Sequence, residues 1–113
     1  MGVPEMATLK LETIGSTRPW VSEIVGKDAQ YGYARRFLIG RHDFSRANSK
    51  RTRGVFTTYD LEPGRLYEVT SPESWSTTKR YFAVVNAAGD AEQVPMEYVD
   101  ARLAARDAPG GGD

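Results

Sequence analysis

The chain has 113 residues, 40% hydrophobic and 27% charged, the composition of one ordinary globular domain and not of a disordered segment. Fifteen basic side chains balance fifteen acidic ones and there is no cysteine, which excludes a disulfide scaffold and any thiolate metal site. No apolar run approaches the roughly 20 residues that span a bilayer, and the opening MGVPEMATLKLE lacks a signal peptide's basic start and apolar middle, so no membrane partner and a cytoplasmic location are expected.

Residues 1–6 read as a flexible N-terminal extension, 7–106 as a single β-rich domain and 107–113, with three consecutive glycines, as a disordered tail. Thr8 to Ile14 alternates apolar Leu9 and Leu11 with Lys10 and Glu12, the period of a half-buried strand, and Gly15 to Pro19 breaks it. Trp20 to Val25 is the second predicted strand, and Gly26 to Gln30 is turn-like. Tyr31 to Ile39 is the third, with Tyr31, Tyr33, Phe37 and Ile39 in one register. Arg35 falls in that same register and Arg36 in the other, so one arginine must sit beside the apolar face.

Gly40 to Arg53 is basic and poor in apolar anchors, and predicts a long loop. Strand character returns at Gly54 to Leu61. Glu62-Pro63-Gly64-Arg65 places Pro and Gly at the central positions a type II turn prefers, predicting a hairpin into Arg65 to Thr70. Trp75 to Asn86 contains the run Tyr81 to Val85, apolar on both faces as in a central strand, and a turn at Ala87 to Asp90 leads to a short strand at Glu92 to Val94. After Pro95, the spacing of Met96, Val99 and Leu103 predicts a helix. The fold class expected is mainly β: a small antiparallel barrel or curved sheet, of the OB or SH3-like kind, with six or seven short strands and one C-terminal helix that plugs or flanks an open end. Trp20 and Trp75 are expected as core or rim anchors rather than ligand platforms, with exposure the alternative for Trp75 beside its Ser-Pro turn.

Between Tyr31 and Phe56 stand Arg35, Arg36, Arg41, Arg46, Lys50, Arg51 and Arg53 against the single acid Asp43, interleaved with aromatics that include Tyr33 and Phe44. In a neutral protein this is a local positive field, and anions are its expected partners. Cations that meet phosphates beside flat rings on which bases stack suit nucleic acid or another polyanion, and the preponderance of arginine suits planar, bidentate contact. The seven basic residues are the candidate phosphate contacts, with Tyr33 and Phe44 the candidate stacking rings. Two other readings stand beside it. The aromatics are core and the charges solvated or paired with Glu12, Glu23, Glu62 and Glu68, or the same field docks on the acidic surface of a host protein, with arginine and aromatic hot spots.

Catalysis has little to draw on. His42 is the only histidine, and its neighbour Asp43 points to the opposite side of an extended chain. Tyr67-Glu68-Val69 followed by Lys79-Arg80-Tyr81-Phe82 resembles a hairpin of small barrel toxins that cleave RNA, whose Arg-Pro and Ser-Glu-Gln elements are missing here. A small metal-independent ribonuclease is therefore only the third reading, and no catalytic residue is assigned. There is no phosphate-cradle motif, no cofactor is expected, and one histidine without cysteine offers no metal site.

The phrases KLETIGSTRPWV, YGYARRFLIGRHDFSRANSKRTRGVF, LEPGRLYEV and SWSTTKRYF, spread over residues 10–82, resemble a group of small uncharacterised proteins encoded by phages and other mobile elements of actinobacteria. The resemblance implies a phage setting, in which small β proteins handle DNA or RNA, build the particle or inhibit a host defence enzyme. It implies no site residues.

Overall fold

Side chains alternate along a strand, so each strand's sequence decides which two surfaces it presents. The computed structural model describes residues 6–28, 30, 32–46 and 53–107. β1 (Ala7–Thr13), β5 (Arg53–Leu61) and β4 (Arg41–Arg46) form an antiparallel sheet in that order. A second antiparallel sheet runs β3 (Gly32–Phe37), β2 (Trp20–Asp28), β6 (Leu66–Pro72), β7 (Thr78–Val85) and β8 (Ala91–Val94), and α1 (Met96–Asp107) follows. Leu11, Tyr59 and Leu61 of the first sheet pack against Val21, Tyr67, Val69 and Ala83 of the second. On the other face of the five-stranded sheet, Ile24, Leu66, Val84 and Val94 meet Val99 and Leu103 of the helix. A 12-residue helix is marginal alone. Burying two aliphatic side chains, each worth roughly 1.5–3 kcal/mol, is what holds it on the sheet.

The mainly β class with one C-terminal helix is the fold observed. The sheets do not close into a barrel, and the described residues contain eight strands. The additional strand is β4, where the sequence predicts a loop. It pairs with β5 from Arg41↔Thr58 to Arg46↔Arg53. As an edge strand it needs few apolar residues, and its charges protect the open edge, which is why its pattern reads as loop. β2 also runs further than predicted, through Gly26 to Asp28, because the register shifts between Ile24 and Gly26 and leaves Val25 as an exposed bulge.

The turn at Glu62–Arg65 exists, with Gly64 at φ 83° as a type II turn requires, yet it is not a hairpin. β5 pairs with β1 and β4, whereas β6 pairs with β2 and β7, so this turn carries the chain from one sheet to the other. Residues 14–19 and 38–40 make the same passage. At the second, Gly40 lies so close to β5 that a Cβ would come within 2.3 Å of Thr57 Cγ2 and 2.9 Å of Tyr59 Cε1. The helix does not plug a barrel end. It covers one half of the outer face of the five-stranded sheet and leaves the other half open.

Candidate functional site

The register of β3 sends Tyr33, Arg35 and Phe37 to the outer face of the five-stranded sheet, opposite Lys27, Ile24 and Ser22, and Arg36 to the inner side beside Glu23. The basic stretch is thus divided between surfaces. Arg35 Nε donates to Glu68 Oε1 at 2.5 Å, Arg36 Nη2 to Glu23 Oε1 at 2.5 Å, and Arg41 pairs with Asp60 on the three-stranded sheet. Each of these three arginines is matched by a carboxylate, so they do not form the single uncompensated field that the sequence suggests. Lys50 and Arg51 lie outside the described residues, as do the side chains of Phe44, Arg46 and Arg53.

Two buried glutamates organise the charges, one on each side of the five-stranded sheet. Glu23, 3% exposed, receives Arg36 and, at 2.8 Å, Arg65 Nη1. Burial alone would raise its carboxyl, but the hydrogen bonds and charges of Arg65 and Arg36 outweigh it and hold the group below its usual value. Glu68, 7% exposed on β6, bridges Arg35 from β3 and Arg80 from β7, whose Nη2 donates to Oε2 at 2.9 Å. A guanidinium has five N–H donors. Arg35 spends one on Glu68 and another, from Nη1, on the Tyr33 carbonyl at 3.0 Å, and Arg80 spends one on Glu68. The remaining donors belong to two arginines already fixed in place, with a net charge of +1 for the triad.

This triad floors a groove of about 600 Å³ bounded by Tyr33, Phe82 and Met96 beside the helix. The Tyr33 hydroxyl donates to Asp100 of α1 at 2.5 Å, and the Tyr33 ring meets Phe82 edge to face at 5.7 Å. Burial, then the hydrogen bond and charge of Asp100, push the Tyr33 phenol up to about 12. In this position Tyr33 is a fixed wall and not a free stacking platform. A second hollow of about 470 Å³ shares Arg80 with the first and is lined by Trp20, Thr70, Thr78 and Arg18. There the rings are available. Trp20 is 52% and Phe37 65% exposed, and they meet edge to face at 6.3 Å.

Sequence reasoning assigned Trp20 to core or rim and missed Phe37, Arg18 and Arg80 as site residues. One signal was present: Glu68 stands inside the apolar run from Leu66 to Val69, and a carboxylate buried in a central strand demands cationic partners on its neighbours. Trp75 takes the exposed alternative, its ring lying over Gly15. His42 Nδ1 lies 3.2 Å from the Thr57 hydroxyl, and Asp43 falls in the opposite register, as its position in an extended chain demands. Among the described residues, no cluster of three or more His, Asp or Glu side chains fits a metal ion, and no helix is long and apolar enough to cross a membrane. Comparison with known proteins finds no matching family model, no matching curated protein and no matching solved structure.

Proposed function

We propose that the protein binds single-stranded nucleic acid, without chemistry, on the open half of the outer face of its five-stranded sheet. The observation that carries this reading is the juxtaposition of the exposed Trp20–Phe37 pair with two arginines held ready by one buried glutamate. Base stacking needs flat exposed rings, and phosphate contact needs oriented guanidinium donors. Of the residues singled out in the sequence, Arg35 lines this face and Tyr33 walls it, while Arg36 and Arg41 belong to other surfaces. Fluorescence titration with an oligodeoxythymidylate tests the proposal. Trp20 emission is expected to be quenched, and each of Trp20→Ala and Phe37→Ala to cost about 1–3 kcal/mol of binding, roughly 5- to 150-fold in affinity. Binding unaffected in both variants would remove the proposal.

A second reading, docking on a host protein as an inhibitor or adaptor, is favoured by apolar side chains outside the groove. Ile39 is wholly exposed and Trp75 80% exposed, and base stacking on the sheet face uses neither. This reading expects capture of one stoichiometric partner from a host lysate after nuclease treatment, with capture lost in Ile39→Asp or Trp75→Ala.

A further inference from the structure

The two hollows on the sheet face are not the end of the concave surface. Ser16 and Arg18, in the passage from β1 to β2, line the Trp20 hollow and also a third one of about 650 Å³. That third hollow lies against the three-stranded sheet, between Thr13 of β1, Val55 of β5 and His42 of β4. Adjacent hollows therefore share walls: Arg80 between the first and second, Ser16 and Arg18 between the second and third. Arg18 differs from Arg35, Arg36 and Arg41 in having no carboxylate partner among the described residues. A guanidinium without a carboxylate partner among the described residues thus stands where the surface turns from one sheet to the other.

Resting on the nucleic-acid reading above, we infer that the three hollows form one continuous track for a single strand, which leaves the five-stranded sheet at Trp20, bends around Arg18 and ends against His42 on the three-stranded sheet. Groups suited to a polyanion stand along the way: the cations Arg35 and Arg80 at the start and Arg18 at the bend, with the polar His42 ring at the far end. Thr70 adds a polar feature under the middle hollow, since its buried hydroxyl has no hydrogen-bond partner among the described residues. A track that turns from one sheet to another selects against a duplex. Double-stranded DNA has a persistence length of about 150 base pairs and follows so tight a bend only at a cost of several kcal/mol, whereas a single strand follows it freely.

The test is a length series of fluorescently labelled oligodeoxythymidylates, from about 3 to about 12 nucleotides, bracketing the site sizes of small single-strand binders. Anisotropy is read at low salt, with a duplex of about 12 base pairs alongside. Affinity is expected to rise at least tenfold from the shortest strand to about 8 nucleotides and then level off, and the duplex to bind at least tenfold more weakly. Arg18→Ala is expected to remove most of the gain with length, weakening the longest strand several-fold more than the shortest, and to reduce the salt slope for the long strand by about 0.7, one phosphate contact. Arg18→Glu removes the gain entirely, and a thermal melt of each variant confirms folding. If the shortest strand binds as tightly as the longest, or if Arg18→Ala weakens all lengths equally, the track is wrong and sheet-face binding survives. If no strand binds at any length, both fall.

Discussion

Glu68→Gln tests the arrangement on which the candidate site depends. The change keeps shape and volume but replaces a two-fold acceptor by an amide with one oxygen, so one of Arg35 and Arg80 must face an N–H₂ group instead of a carboxylate oxygen. Each charge-assisted hydrogen bond is worth about 1.5–3 kcal/mol. The full 3–5 kcal/mol of a broken buried pair does not apply, because the Arg35 and Arg80 side chains are 30% and 59% exposed and turn to water when released. The expected loss is about 2–3 kcal/mol, or a fall of about 10 °C in melting temperature for a domain of this size. The assay is circular dichroism on heating, with Arg80→Ala and the double variant completing a cycle. Replacing all three members by apolar residues (Arg35→Met, Glu68→Leu, Arg80→Met) is expected to recover most of the stability, since an ion triad with two partly exposed arginines contributes little net, and to abolish the proposed nucleic-acid binding. A melting temperature within about 2 °C of wild type in Glu68→Gln, with additive effects in the cycle, would refute the claim that Glu68 positions these arginines.

Other perturbations give equally definite outcomes. Gly40→Ala is expected to destabilise by about 3 kcal/mol, because its Cβ meets both Thr57 and Tyr59 in β5, and denaturant melts would show it. Thr70→Val removes a buried hydroxyl that has no partner among the described residues, and its melting temperature should rise by a few degrees. Stability should fall as acid is added below about pH 4.5. Glu23 is held below its ordinary 4.5, so its contribution is complete above that value and disappears as pH drops through the depressed one; Asp60, hydrogen-bonded by Arg41, and Asp100, by Tyr33, act in the same direction. At the alkaline end the folded chain keeps the Tyr33 proton up to about 12 against an ordinary 10.0. That stabilisation is complete below pH 10 and declines between 10 and 12, and Tyr33→Phe should flatten this limb of a pH–stability curve.

Much of the architecture was legible in the residues. Period-2 alternation located β1, the Tyr81 to Val85 run located the interior part of β7, and Pro95 with Val99 and Leu103 located the helix. Pairing was not legible. Glu62–Arg65 carries turn chemistry that is the same whether the chain doubles back within a sheet or passes to another, so the local signal was right and the topology wrong. β4 escaped because edge strands are selected for charge and not for alternation. At the site, sequence proximity misled. Arg35 and Arg36 are neighbours in the chain but face opposite sides of a sheet, while Arg35 and Arg80, 45 positions apart, share one carboxylate. Trp20 and Phe37 become a surface pair only through the register of β2 with β3, which no one-dimensional pattern contains.

The three passages between sheets, at 14–19, 38–40 and 62–65, lace the two layers together, since every strand of the smaller sheet is joined in sequence to a strand of the larger. Pieces contiguous in sequence exist, the β2–β3 and β4–β5 pairs and the β6–β7–β8 run, yet neither sheet is complete until strands from both sides of these passages meet. The pairings of β1 with β5 and β2 with β6 must each close a long loop first, a cost that slows folding.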